Sequence, residues 1–577
     1  MDLSQAECVI KSLIREIAQE CADRGHSISE TLGAFMVKAV VLDPRYEFNV
    51  DRRLTKTDVH KLIMVCVDRL LETERPSLDT IKMQIYFDMN YTSREEFLAE
   101  HRSVLESRLA PVRREVTDCR ARTREELECL YRKVVSYVLL HSGLGSPTDI
   151  RVVREATAAL QSVFPQTELG TFLALTKKDK ERQLNELSLI VSGIRLFNKN
   201  CKKGGEGIDD LPAILNEALP ATKQNIKSEL QPTQQLVYHY TAIIERLEKS
   251  RQQCYETDGL HDKLKEALYN VRQHEVFLCI ILTEIITCDK QVEMLQEQLN
   301  KRMDELNTVV KSKATVPTAQ VYPHFIYLSN LWSSLQDEMV LLSVFSNLIN
   351  NLDPYLGTHS QLFPDGVIGP LLEGVDVKTD EERLNKASED EINPIDFMNR
   401  EWIFPEDTLL YHQLTMQYRG FCAYTLGARH GLLLRGNPNI GILKYQEKYY
   451  TFSSKEAATA FAQKPDYYIT QATEEAKHFP ELIQLLELHQ QFTSVAPYAQ
   501  ANLRQKVTRY MQTTLSHMRR DNATQVYLPK NRAVQTKRDN SCNVPKPQVF
   551  YAGLRGGNVT EPTRVNKFNL TRAVDET

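Results

Sequence analysis

Apolar residues recur at helical spacing through most of the first 350 residues of the chain. The first stripe consists of Ile10, Leu13, Ile14, Ile17 and Cys21. Steps of three or four residues place these side chains on one face of an α-helix. Gly25 follows shortly after, so the pattern predicts an amphipathic helix that ends near this glycine.

Two further stripes in the N-terminal third predict helices of the same kind. One covers residues 59–70, and either Thr57 or Asp58 is placed to cap its first turn. The other covers residues 127–138 and is followed by Gly143, a residue suited to the left-handed conformation that ends many helices. The first 215 residues are therefore predicted to form a helical domain.

Two long helical stretches follow, over about 222–256 and 260–312. Their apolar stripes consist of Leu236, Tyr240, Ile243, Ile244 and Leu247 in the first, and of Val292, Leu295, Leu299, Leu306 and Val310 in the second. Only Glu256-Thr-Asp-Gly259 separates the two stretches, and such a short link favours an antiparallel hairpin. The apolar repeat is not a sustained heptad, which argues against an autonomous coiled coil.

Turn-forming and acidic residues interrupt the helical pattern between about 351 and 400, which predicts a linker with short helices. The next segment predicts a small α+β unit. It contains a β-hairpin that turns at Gln446-Glu447, a helix from Ser454 to Gln463, and a strong helix over about 471–493. After Pro497 apolar residues become sparse, which is typical of an extended tail.

These patterns predict a mainly α, multi-domain protein. The predicted segments are a helical domain (1–215), a long helical hairpin (216–350), a linker with short helices (351–410), an α+β module with a following helix (411–495), and a basic, largely extended tail (496–577).

Charge is distributed unevenly along the 577 residues. The net charge is −5, yet residues 501–577 contain fourteen lysines and arginines against five acids. The candidate partner-binding residues in this tail are Arg504, Lys506, Arg509, Arg519, Arg520, Lys537 and Arg538. Because aromatic residues that stack on bases are sparse there, an acidic protein partner is favoured over nucleic acid.

Several classes of function find no support in the sequence. No apolar run approaches the roughly 20 residues that span a bilayer, so no membrane partner is predicted. The cysteines include no Cys-x-x-Cys pair, and Cys21 and Cys66 fall on apolar faces, where buried thiols are expected. No nucleophile is accompanied by an identifiable base, so we predict a protein that is not an enzyme.

Residues 418–469 resemble the small YHS-type domain, whose pattern is aromatic-x-Phe-Cys-Ser-x-x-Cys-x-x-x-Phe-x-x-x-Pro-x-x-Tyr. The two cysteine positions of that pattern fall on Ser453 and Ala457, and upstream only Cys422 remains. A soft metal needs several thiolate or imidazole ligands at one point. We therefore predict neither a metal nor another cofactor, and expect the module to be kept for its shape.

The chain as a whole resembles the cilia- and flagella-associated protein 206 family. The matching blocks are Thr31 to Pro44, Pro76 to Asn90, Leu140 to Asp149, Gly204 to Pro212, the module from Tyr418 to Phe452, and Ala552 to Gly557. The resemblance implies a structural adaptor that docks a radial spoke, and through it an inner-arm dynein, onto the doublet microtubule. It also implies location in the axoneme of motile cilia and sperm flagella, within the cytoskeleton, with the basal body as a further site.

The partners implied by this resemblance are tubulin, proteins of the spoke base and inner-arm dynein subunits. Gln512-Thr513 and Gln535-Thr536 resemble the core of peptides that dynein light chains bind by strand addition, which makes a light chain a further candidate. Family members carry a Trp/Glu/Arg-rich helical element ahead of Ala501 that this chain lacks. An alternative hypothesis is an intracellular metal- or ligand-binding protein that acts through residues 418–469.

Overall fold

A computed structural model describes residues 3–48, 55–72, 74–250, 258–311, 317–387, 392, 400–405 and 414–492. The predicted tail and its seven candidate basic residues lie outside these ranges. So does the first half of the predicted link between the long helices, whereas Asp258 and Gly259 already belong to the second long helix. The described residues fall into two compact units. The first comprises the chain up to Ser93 and from Glu115 onward, and the second contains residues 94–114.

The mainly α fold class is confirmed. The helices of the N-terminal part are α1 (Leu3–Asp23), α2 (Glu30–Leu42), α3 (Lys56–Leu71), α4 (Pro76–Asn90), α5 (Arg94–Thr117), α6 (Arg124–Ser142), α7 (Ile150–Val163), α8 (Leu169–Ala174) and α9 (Lys177–Asn200). The long helices are α10 (Leu211–Ser250), α11 (Asp258–Lys311) and α12 (Thr318–Asn350). In the described part of the chain, no helix combines the length and apolarity needed to cross a membrane.

The first 93 residues bury the predicted stripes of α1 and α3 against one another. Ile17, Cys21, Cys66 and Val67 are fully buried in one cluster with residues of α2. Burial raises the pKa of the Cys66 thiol to about 12, which keeps it protonated at neutral pH. α1 ends just before Gly25, whose φ of +89° is left-handed, so the predicted helix end is confirmed.

The predicted cap of α3 was wrong by two or three positions. Thr55 is the N-cap, and its side chain accepts a hydrogen bond from the Asp58 N–H, while the Asp58 carboxylate accepts one from the Thr55 N–H. This reciprocal capping box adds a turn ahead of the apolar stripe. α6, by contrast, ends as predicted, with Gly143 in the left-handed conformation.

The predicted long hairpin is present as α10 and α11. Its cross-helix pairs are Asn216 with Gln296, Lys223 with Asp289, and Gln234 with Glu275. The partner's number falls as the first number rises, which establishes antiparallel packing. Most predicted stripe residues are buried, but Val310 in the last turn of α11 is 38% exposed.

Short helices follow α12, as predicted for this stretch: α13 (Gly357–Leu362), α14 (Asp365–Leu372) and α15 (Asp380–Ala387). The strand β1 (Glu401–Ile403) comes next and was not predicted. It pairs antiparallel with β2 (Ile442–Tyr445), which in turn pairs antiparallel with β3 (Lys448–Tyr450). The predicted β-hairpin is confirmed, since Gln446 and Glu447 form its turn with φ of +51° and +61°.

The helices of the module are α16 (Ala423–Ala428), α17 (Lys455–Gln463), α18 (Pro465–His478) and α19 (Glu481–Leu485). Ser454 caps α17 as expected for a helix from Ser454 to Gln463. The predicted helix over 471–493 was wrong. α18 begins at Pro465, ahead of the predicted start, and it stops at His478 because Pro480 disfavours helical conformation in the residue before it.

The module and the hairpin are built around one hydrophobic core. Tyr240 of α10 and Tyr269 of α11 are fully buried in the same cluster as Phe421, Phe452 and Phe461 of the module. The Tyr269 hydroxyl donates a hydrogen bond to the Gly431 carbonyl over 2.9 Å. The module is thus attached to the long helices by apolar contact.

Candidate functional site

The candidate site of the alternative hypothesis, the YHS-like module, is filled by aromatic rings. The ring of Phe461 lies 5.3 Å from that of Tyr450 and 5.2 Å from that of Phe452, centroid to centroid. Phe452 also contacts Trp402 of the unpredicted strand β1, with ring centroids 6.1 Å apart. Such tilted pairs are favourable, and they occupy the interior of the module.

Ala457, which stands at the second cysteine position of the pattern, and Cys422 both contribute to folding. Ser454 accepts the Ala457 N–H at the start of α17, and Ala457 itself is 3% exposed. The Cys422 side chain is fully buried, and its N–H donates to the Leu434 carbonyl over 2.8 Å. Among the described residues, no group of three or more His, Cys, Asp or Glu side chains is arranged to hold a metal ion.

Beneath the module, a buried arginine on α11 connects three segments of the chain. The Arg272 side chain has no exposed surface and donates to Glu275 over 2.8 Å and to Asp380 of α15 over 2.7 Å. Arg435 lies 3.7 Å from both of these carboxylates and stacks on Phe421 at 4.5 Å. The acid-rich helix α15 is therefore held to the hairpin and to the module by buried ion pairs.

A second group of ion pairs joins the end of α10 to the same segments. Glu245 accepts from Arg383 over 2.8 Å and from Arg429 over 3.3 Å, and Glu248 accepts from Arg429 over 2.6 Å. Burial alone would raise the pKa of Glu245, but hydrogen bonds and charges from the two arginines lower it below its ordinary value. Glu245 therefore remains ionised at neutral pH.

The N-terminal helices are fixed to α11 and to the module by polar contacts of the same kind. Arg75 pairs with the buried Glu266 of α11, and Gln84 donates 2.7 Å hydrogen bonds to Gln273 and to the Glu481 carbonyl. Nearby, Phe87 stacks on Phe277 with ring centroids 3.8 Å apart.

Asp43 lies at the end of α2 and completes this attachment. It accepts from Arg45 over 2.6 Å, and His478 of α18 lies 3.3 Å from it. Arg45 also donates to the His478 carbonyl over 3.0 Å. Asp43 is 1% exposed, so its charge is satisfied almost entirely within the protein.

A cleft of about 630 Å³ opens where these segments meet. It is lined by Arg45, Glu248, His261, Asp262, Lys265, Ala428, Arg429, His430, Glu475, His478 and Phe479. This volume would suit a small ligand. The lining, however, balances three permanent cations against three carboxylates, and Arg45, Arg429 and Glu248 already take part in ion pairs.

Histidines and carboxylates lie close to one another in the lining of the cleft. Its lining contains histidine–carboxylate contacts, such as His430 Nδ1 at 3.4 Å from Glu475 Oε1, but no serine, threonine or cysteine that a histidine would activate. Burial would raise the pKa of Glu475, yet the His430 contact and the Lys265 charge hold it below its ordinary value. Glu475 is therefore a poor proton donor at neutral pH.

The sequence did not predict the residues that form this junction. The segment 261–275 of α11 contains a buried lysine, arginine, glutamates and histidines, whereas sequence analysis placed the helix's stripe further along, at residues 292–310. A signal was available, because Leu264, Ala267, Leu268 and Val271 form an apolar stripe at helical spacing, and a dense run of charged and polar residues covers the other faces of this segment. Buried charge of this kind requires partners from elsewhere in the chain.

Comparison with known proteins identifies close relatives. The FAP206 family profile, described as a domain of unknown function, matches residues 214–493, which covers the hairpin and the module together. A Bos taurus protein named Cilia- and flagella-associated protein 206 is 56% identical over 625 residues, covering 100% of both chains. The Homo sapiens protein of that name is 55% identical over 630 residues, again covering 100% of both.

The similarity extends to distant organisms. The Tetrahymena thermophila protein of the same name is 24% identical over 594 residues, covering 91% of this chain and 92% of its own. No solved structure matches the chain.

Proposed function

Since the chain belongs to the cilia- and flagella-associated protein 206 family, we propose that it is a non-enzymatic structural adaptor of the motile-cilium axoneme. It docks a radial spoke and the associated inner-arm dynein onto the doublet microtubule, and motility of cilia and sperm flagella depends on it. The observation that carries this proposal is the end-to-end similarity to proteins named for cilia and flagella.

The contacts of the described residues suit an adaptor. Buried ion pairs and stacked rings join the N-terminal helices, the hairpin and the module, so surfaces on these segments keep fixed positions relative to one another. Stable docking requires a buried interface on the order of 1,000 Å² or more, and we assign it to the described helical segments. Exposed ion pairs are weak and sensitive to salt, so the basic tail is assigned to steering towards acidic tubulin.

Salt extraction of isolated axonemes tests this proposal. The tagged protein should stay with demembranated axonemes in low salt and leave only under conditions that also loosen the radial spokes. Images of axonemes from cells that lack the protein should show a missing or displaced spoke, together with impaired beating. Release in low salt while all spokes remain in place would contradict a docking role.

Metal analysis separates this proposal from the alternative. A scaffold purified in its folded form should contain no stoichiometric zinc or iron. Metal that is present at one equivalent and lost on Cys422→Ala would instead support a metal-binding module.

A further inference from the structure

Two loops that are distant in sequence are held together by one buried arginine. Arg195 of α9 has no exposed surface, and its guanidinium donates to the Leu144 carbonyl over 2.6 Å and to the Glu206 carbonyl over 2.8 Å. The same group pairs with Glu155 of α7 at 3.1 Å. One side chain therefore fixes the loop after α6 and the loop after α9 against α7.

The Glu155 carboxylate holds the second loop from the other side. It accepts the N–H of Gly205 over 2.7 Å and the N–H of Glu206 over 2.9 Å. The Arg195 and Glu155 side chains and four backbone groups of the two loops thus satisfy one another's hydrogen bonds. Charge-assisted hydrogen bonds of this kind are shorter and stronger than neutral ones, so they hold the loop in a single conformation.

Glycines allow the close approach of the two loops. Gly145 and Gly207 have φ of +87° and +71°, and a Cβ atom on either would lie within 2.8 Å of the Val152 side chain. A Cβ on Gly205 would lie 2.4 Å from the Lys199 Cβ. These loops are therefore built for one arrangement at the protein surface.

This arrangement exposes an isoleucine next to Arg151 and four residues before Arg154 on the same helix. Ile150, the first residue of α7, is 65% exposed. Arg151 next to it is 70% exposed and lies 3.7 Å from Glu206, which brings the start of α7 alongside the glycine loop. Arg154, Lys202 and Lys203 are exposed as well and form no ion pair with any residue that the structure describes.

We propose that Ile150, Arg151, Arg154, Lys202 and Lys203, here called the clamped face, form a preformed docking surface for an acidic protein surface of the axoneme. Ile150 is the apolar anchor that enters a recess of the partner, and the unpaired cations match its negative charge. This inference rests on the proposed function and adds the site of contact. A rigid anchor binds with little loss of conformational entropy, which favours contact through these loops.

Rebinding to axonemes from cells that lack the protein tests the clamped face. The full-length chain is titrated onto such axonemes, and bound protein is measured by sedimentation at several salt concentrations. Ile150→Asp should weaken binding about tenfold or more, as for a central anchor residue. Lys202→Glu with Lys203→Glu should weaken binding to a similar degree and flatten its dependence on salt.

Matched control variants make the result specific. Tyr467→Asp introduces a charge at an apolar residue that is 56% exposed on α18, and Lys290→Glu with Lys301→Glu makes the same charge change at exposed positions of α11. Both controls should bind within about twofold of the unchanged protein, because isolated surface substitutions have small effects. An acidic residue at the first position of a helix is favourable, so Ile150→Asp should fold.

The outcomes separate the inference from the function on which it rests. Failure of the unchanged protein to rebind would contradict the docking function and the clamped face together. If the unchanged protein binds and Ile150→Asp binds equally well, the clamped face is wrong and the adaptor function stands. Weakening by the lysine variant alone would show attraction by charge without an apolar anchor, which also overturns the inference.

Discussion

Replacement of Arg272 by methionine tests whether buried ion pairs hold the segments of this protein together. The arginine is fully buried, and its loss would leave Glu275, 4% exposed, and Asp380, 14% exposed, without their nearest cation. Breaking one partner of a buried pair typically costs about 3–5 kcal/mol. Arg435 remains 3.7 Å from both carboxylates, so we expect the lower end, about 3 kcal/mol.

The same helix offers a matched control. Arg302 pairs with Glu305 at 2.9 Å, also three residues apart. Arg302 lies over the Tyr327 ring, as Arg272 lies over the Phe421 ring. The two side chains are 36% and 42% exposed, so Arg302→Met should cost about 1 kcal/mol or less. The two variants share residue type, spacing and helix, and they differ in burial and in the second carboxylate, Asp380, that Arg272 also binds.

Urea denaturation followed by tryptophan fluorescence measures the difference. The chain has only two tryptophans, so Trp332→Phe leaves Trp402 of β1 as a reporter of the module next to α15. In this background Arg272→Met should lower the midpoint of the Trp402 transition far more than Arg302→Met. Equal shifts in the two variants would refute the argument that burial of the pair, and not its mere presence, stabilises the fold.

Two further predictions concern a helix contact and a buried acid. Gly193→Ala should destabilise the protein by about 1–3 kcal/mol in thermal or urea unfolding, because the added Cβ would lie 2.1 Å from the Phe325 carbonyl oxygen. The control Gly170→Ala should not destabilise it, because a Cβ at Gly170 meets open space. Burial, and then the Glu266 charge, raises the pKa of Glu481 from 4.5 to about 7, so the contribution of this group to stability falls as pH rises from about 5 through 7. Glu481→Gln should reduce this fall, and an unchanged pH profile would contradict it.

Periodicity was a reliable guide wherever a helix buries one apolar face. The stripe of α1 and the ends of α1 and α6 are located by apolar spacing and by a glycine in left-handed conformation, all of which are local properties. The cap of α3 was misplaced because Thr55, Thr57 and Asp58 all have side chains that cap helices. Only the reciprocal hydrogen bonds of Thr55 and Asp58 decide among them.

Long-range contacts explain what the sequence did not predict. Strand β1 is three residues long and is formed by pairing with β2, about 40 positions further along. Three residues are too few to show the alternation of apolar and polar side chains that predicts a strand. The ion pairs of Arg272 with Asp380 and of Arg75 with Glu266 likewise depend on which distant segments meet. The seven basic tail residues lie outside the described residues and stay a prediction.

The central helix explains why so many polar groups are buried at one junction. α11 has 54 residues, so it extends roughly 80 Å at 1.5 Å per residue. Residues 264–278 are buried on every face by the N-terminal helices, α10 and the module, while the remainder packs along α10 and α12. Buried charges at Glu266, Arg272 and Glu275 accept only one register, since any shift leaves a charge without its partner. A protein that fixes the spacing between other molecules requires this property.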